Sequence, residues 1–290
     1  MKNYVIVTES TADLPVNIIE EFDIKVIPMS FELEGKGYVN YPDNRELQPH
    51  EFYQRLKNGQ KSITSLVNTA CFIEFFEPII KNGQEILYIG FSSGLSGTYN
   101  ASLLAVDELR EKYPDVKILC FDSKSASMGE GLFTYIAAKK KEAGLNIDEL
   151  YEWLKKNVLQ LCQWFTVDDL NHLKRGGRVS ALTASIGTAL NIKPVLHVDD
   201  EGHLIPMLNV RGRKKSIHAL YDHMEKTCVN PEEQVVFIGH GDCFDEANYL
   251  GNLIKDKLKV RDVVINDIGP VIGTHSGPGT IALFYFGNGR

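Results

Sequence analysis

The chain has 290 residues, 43% of them hydrophobic and 24% charged, with a formal net charge of −7. That length and mixture suit one large globular domain or two ordinary ones, and they exclude disordered and fibrous classes. The acidic balance argues against a nucleic-acid surface, and the lack of any 18-residue apolar stretch excludes a membrane-spanning helix.

Tyr4 to Thr8 reads as a strand, with Ser10, Thr11 and Asp13 as cap side chains and Pro15 suited to a first helical turn. Ile24 to Phe31 reads as a second strand, and Lys36 to Pro49 as a polar surface excursion. His50 to Lys57 and Thr69 to Ile80 have helical spacing. Ile86 to Gly90 and Val116 to Phe121 are further strands, each followed by a helix; the first of these helices spans Tyr99 to Lys112. This alternation predicts a parallel, Rossmann-like sheet covered by helices, in which ligands bind beyond the carboxyl ends of the strands. Four polar turns offer themselves there: residues 9–13, 62–68, 92–98 and 122–127.

The character changes near Leu161, after an amphipathic Asp148 to Leu159 helix. Gln160 to Val167 reads as a strand, and Leu173 to Ser180 as a basic, glycine-broken turn. Ile192 to Val198 and His203 to Val210 form a predicted hairpin around Asp199-Asp200-Glu201-Gly202. Helices follow at Arg213 to Lys226 and Phe244 to Lys257, with strands at Val235 to His240, Val260 to Asp267 and Thr280 to Gly287. The expected architecture is α/β in two domains: residues 1–160 with a parallel sheet, and residues 161–290 with a mixed sheet, the ligand lying between them.

The run Ser92-Ser-Gly-Leu-Ser-Gly-Thr98 is the most informative stretch. Hydroxyls and free backbone N–H groups at a helix N-terminus attract an anion such as a carboxylate or phosphate. Helix capping accounts for one hydroxyl, not for Ser93, Ser96 and Thr98 together with two glycines. Thr64 and Ser65 are candidates for the same site, or caps for the next helix. His275 stands in the glycine-rich run 272–280, where it can donate to an anion or act as acid or base. Lys174, Arg175 and Arg178 form one basic turn, and Arg211, Arg213, Lys214 and Lys215 another; each is either an anion or partner contact or a solvated face.

No Walker-type glycine loop occurs, and Gly94-Leu-Ser-Gly97 lacks the second glycine of a hydrolase elbow at the required place. His218 and His223 are off one helical face, and His240, Asp242 and Cys243 lack a distant second pair, so no metal site is expected. The five cysteines (71, 120, 162, 228 and 243) form no CxxC and read as reduced thiols of a cytoplasmic protein. Met1 to Thr8 is too short an apolar run for a secretory signal.

Taken in order, these stretches resemble the DegV family, the fatty-acid-binding (FakB-type) subunits of bacterial fatty acid kinase. The resemblance spans essentially the whole chain. It is carried by Thr8-Glu-Ser-Thr-Ala-Asp-Leu-Pro15, Val26-Ile-Pro28, Thr64-Ser65, Ser92 to Thr98, Asp122-Ser123, Leu173 to Ser180, Asn191-Ile-Lys-Pro194 and Gly273-Thr-His-Ser-Gly-Pro-Gly279. It implies one long-chain fatty acid buried between two domains, with its carboxylate at Thr64, Ser65, Ser96, Gly97 and His275. It further implies a binding protein that is not itself an enzyme and needs no cofactor. A separate ATP-dependent kinase would phosphorylate the carboxylate, and an acyltransferase would draw the acyl phosphate into phospholipid synthesis. Arg175, Arg178, Arg211 and Arg213 would dock the kinase or touch a membrane surface. The chain departs from the family pattern at Glu9, Leu66-Val67-Asn68, Gly212 and Ser276, none of which removes a carboxylate donor. Two other readings are a hydrolase or phosphotransferase using Ser96 and His275, with Asp122 or Asp267 as orienting group, and a DNA-binding regulator. The acidic balance and lack of a helix-turn-helix pattern disfavour the last.

Overall fold

The structure, a computed structural model, describes residues 4–179 and 191–290. Residues 1–3 and Ser180, each part of a stretch read above, lie outside them. The N-terminal part runs β1 (Tyr4–Glu9), α1 (Val16–Glu21), β2 (Lys25–Ile27), β3 (Met29–Leu33), β4 (Lys36–Asn40), α2 (Pro49–Lys57), β5 (Ser62–Thr64), α3 (Thr69–Lys81), β6 (Glu85–Gly90), α4 (Thr98–Lys112), β7 (Ile118–Asp122), α5 (Met128–Glu142) and α6 (Ile147–Asn157). Strands pair in the order β2-β1-β6-β7, all parallel. β1 and β6 are buried along their whole length, as a sheet covered on both faces requires.

The single strand expected over Ile24 to Phe31 is two. Pro28 cannot donate to a ladder, and the chain leaves the parallel sheet there. β3 then pairs antiparallel with β4 and β5 in a separate three-stranded sheet. The excursion expected over Lys36 to Pro49 therefore opens with a strand, and the Ser62 turn is an edge strand ending at Thr64.

The C-terminal part comprises β8 (Leu161–Thr166), α7 (Asn171–Arg175), β9 (Ile192–Val198), β10 (Leu204–Arg211), α8 (Arg213–Thr227), β11 (Val235–His240), α9 (Phe244–Leu258), β12 (Asp262–Asp267), α10 (Pro270–Ser276) and β13 (Ile281–Phe286). Its sheet runs β10-β9-β8-β13-β11-β12, with β11–β12 the parallel pair. The turn expected around His275 is the helix α10, begun by Pro270 at its first position.

The two large sheets fall on either side of residue 160, but the core does not divide there. Ile6, Leu87 and Phe121 of the parallel sheet share one buried cluster with Phe165, Phe237 and Phe284 of the mixed sheet. α5 packs against β1 and β6 on one side and β11 and β13 on the other. No helix among the described residues is long and apolar enough to cross a membrane.

Candidate functional site

A cavity of about 320 Å³ opens between the two sheets, a volume in the range of small-molecule sites. Its apolar wall is drawn from both parts of the chain, with Met29, Phe91 and Leu95 facing Phe165, Val271 and Phe284. At one region the wall turns polar. Thr64, Ser65, Ser96, Gly97 and His275 all line this cavity, together with Arg178.

Three elements converge on that polar region. β5 ends at Thr64 and lies against α10, where Ser62 Oγ and Thr274 Oγ1 are 2.7 Å apart and Thr64 Oγ1 is 2.9 Å from His275 Nε2. α10 is itself anchored, since Asp13 Oδ1 accepts from Gly269 N at 2.9 Å and Tyr53 donates its hydroxyl to Ile268 O at 2.8 Å. The Ser92–Thr98 loop follows β6. Leu95 N and Ser96 N donate to Ser92 O at 3.1 and 3.2 Å, so the loop has its own turn geometry.

The hydroxyls divide their work. Ser96 Oγ accepts from Thr98 N at 3.2 Å and sits 2.9 Å from Thr98 Oγ1. Either hydroxyl of this pair can donate, and where Thr98 donates to Ser96 the Ser96 proton is left for an anion. Ser93 is turned away and donates to Asp122 Oδ2 at 2.6 Å. Thr98 is fully buried beneath Ser96. Of the three hydroxyls read in this loop, Ser96 is the one that lines the cavity.

His275 is held neutral. Burial, and then the nearby Arg178 charge, bring its pKa down to about 4. Its Nδ1 is buried without a hydrogen-bond partner among the described residues. It faces Gly176, where a Cβ would collide with it. An unpaired lone pair is less costly than an unpaired N–H, which assigns the proton to Nε2. Nε2–H then donates to Thr64 Oγ1, and the Thr64 proton is left for a ligand.

Arg178, grouped above with the docking arginines, stands at the cavity. It lines the cavity, with Nε donating to Leu95 O at 3.3 Å and NH1 to Gly176 O. Among the described residues no carboxylate pairs with it, and burial lowers its pKa below the ordinary guanidinium value. A half-buried guanidinium without a counter-ion is an arrangement that a ligand anion completes. The other three arginines lie off the cavity. Arg175 is exposed beside His172, its NH2 3.1 Å from Nδ1. Arg211 is exposed at the end of β10, and Arg213 is ion-paired with Glu246 at 2.7 Å.

The catalytic alternative finds no geometry here. His275 is bonded to Thr64 and Ser96 to Thr98. Asp122 is engaged by Ser93, and Asp267 sits 3.4 Å from His240. Among the described residues no group of three or more His, Cys, Asp or Glu is arranged to hold a metal.

The profile of the DegV family, a family of uncharacterised proteins, matches residues 3–288. The chain belongs to the DegV family. A DegV domain-containing protein of Clostridium perfringens is 46% identical over 288 residues, covering 99% of each chain. A Thermotoga maritima protein whose structure reveals fatty acid binding function is 30% identical, with a TM-score of 0.82 over 98% of this chain and 99% of that one. A fatty-acid-binding DegV protein of Thermus thermophilus is 26% identical, with a TM-score of 0.89 over 99% of this chain and 100% of that one. Structural homologues of this DegV chain thus bind fatty acids.

Proposed function

We propose that this DegV-family chain binds one long-chain fatty acid in the cavity and presents its carboxylate to a separate ATP-dependent kinase. The observation that carries the reading is the pairing of an apolar wall with Thr64, Ser96, neutral His275 and an Arg178 that has no carboxylate partner among the described residues. Each methylene removed from water contributes about 0.8 kcal/mol, so the acyl chain supplies most of the affinity. A carboxylate buried without partners would be strongly unfavourable, and the two hydroxyl protons and the guanidinium offset that cost. Ser65 and Gly97 complete the wall beside these donors.

On this reading the chain is a carrier and not an enzyme. Its fatty acid is cargo rather than cofactor, and phosphoryl transfer belongs to the kinase. The acyl phosphate then passes to an acyltransferase of phospholipid synthesis. Exposed Arg175 and Arg211, together with Arg213, which Glu246 holds, supply cationic contacts for the kinase or a membrane surface. The setting is cytoplasmic, and the working units are residues 1–160 and 161–290 with the ligand between them.

Titration of delipidated protein with hexadecanoic acid tests the reading. One molecule should bind per chain, and other long-chain acids should compete for it. No saturable binding would overturn the proposal.

A further inference from the structure

The tip of the β9–β10 hairpin, residues 199–202, rests on the loops of the parallel sheet. Ser92 Oγ donates to Gly202 O at 2.9 Å, and Lys124 Nζ to Asp200 O at 2.7 Å. The approach is close. A Cβ on Gly94 would lie 2.8 Å from Glu201 O, and one on Gly202, whose φ is +85°, would collide with Ser92 Oγ. Arg290 fastens the same tip from behind. Its NH1 donates to Asp199 O at 2.7 Å, and its NH2 reaches Ser123 O at 3.4 Å and Val158 O at 3.2 Å.

The Ser92 side chain is fully buried and serves two partners. Besides holding Gly202, its Oγ accepts from Gly94 N at 3.2 Å, and its carbonyl accepts from Leu95 N and Ser96 N. The residue that meets the hairpin therefore also shapes the loop presenting Ser96 and Gly97. Val198 and Leu204, one from each hairpin strand, line the cavity. Those two residues are paired with each other in the β9–β10 ladder, whereas the loop carrying Ser96 is shaped directly by Ser92.

We infer that the hairpin tip and Arg290 form a clasp that sets the position of Ser96, with Ser92 as its positioning residue; the ligand side of this inference rests on the fatty-acid reading above. Removing the clasp loosens the grip on the carboxylate while sparing the acyl chain.

The test compares hexadecanoic acid with hexadecanol on the full chain and on two separate variants, Ser92→Ala and Arg290→Ala. Each variant should bind the acid roughly tenfold more weakly and the alcohol within about twofold of the unaltered protein, the scale of one hydrogen bond. Equal losses for both lipids, or no loss for either, would overturn the clasp. Hydrogen exchange on ligand-free protein provides an arm independent of any lipid. Amides of residues 92–97 should exchange faster in both variants, with the β1–β6 ladder unchanged; unchanged loop exchange would overturn the inference. If the unaltered chain binds neither lipid, the carrier reading fails and the exchange result alone decides the clasp.

Discussion

At the scale of single residues, the site separates holding a lipid from presenting it. His275 touches the ligand region through Thr64 and stays neutral because it is buried beside Arg178. His275→Ala should leave lipid retention nearly intact, because the apolar wall remains. Phosphorylation of the bound acid by the kinase should fall. Extraction and quantification of co-purified lipid beside a coupled ATP assay separates the two; complete loss of lipid from the variant would contradict the division.

Arg178 makes the opposite case. Arg178→Met removes the charge and keeps an apolar stem, so acid binding should fall roughly ten- to a hundredfold, the worth of a charged hydrogen bond. Binding of the corresponding alcohol should hold, which competition titration with both lipids reads directly. Equal weakening of the two would mean that the guanidinium only supports the fold.

The elements show why part of this was readable from sequence. β1, β6 and β7 followed by hydroxyl turns are local patterns, each contained in a dozen residues, and hydrophobic period and turn chemistry suffice for them. Ser96 and His275 are candidates in sequence because glycine-flanked hydroxyl and imidazole groups can meet an anion, whereas Thr64 alone reads first as a helix cap and joins the set through the resemblance to the DegV family. α10 was hidden because it is only seven residues long and Gly273 lowers its helix propensity, whereas its stability comes from Asp13, Tyr53 and β5 packed around it. Arg178 was grouped with its basic sequence neighbours. Its true setting depends on α10, which no local pattern brings near.

Gly176 links these elements. It keeps α7 close enough for the His275 ring to pack upon it. Gly176→Ala should push the imidazole off Thr64 and, like His275→Ala, lower presentation of the carboxylate while leaving lipid retention nearly intact. A His275 ring resonance unchanged in the NMR spectrum of Gly176→Ala would argue against that packing role.

The whole molecule carries a buried acid pair beneath the site. Glu9, at the end of β1, accepts from the Tyr88 hydroxyl and from Phe91 N at 3.0 Å. Glu130, in the first turn of α5, accepts from Thr8 at 2.7 Å and Thr11 at 3.2 Å. Burial raises both pKa values, and for Glu130 the Glu9 charge adds to it. The folded chain therefore keeps a proton that the unfolded chain releases above the ordinary value of 4.5. Because the folded state binds more protons, stability falls as pH rises past that value. Glu130→Gln mimics the protonated form, so its unfolding free energy should decline less between pH 5 and pH 8 than that of the unaltered protein, as urea titrations at the two pH values would show. Identical slopes would mean that the pair holds no shared proton.

α5 and the common aromatic cluster tie the two sheets together, which leaves the cavity as a gap in an otherwise continuous core. Such a gap, with apolar walls and a cation that has no carboxylate partner among the described residues, fits the proposed place for a lipid anion. Mass spectrometry of protein purified under mild conditions, first native and then denatured, tests this most directly. The account predicts a native mass raised by one long-chain fatty acid, lost on denaturation. A bare chain mass that stays unchanged after incubation with fatty acids would contradict it.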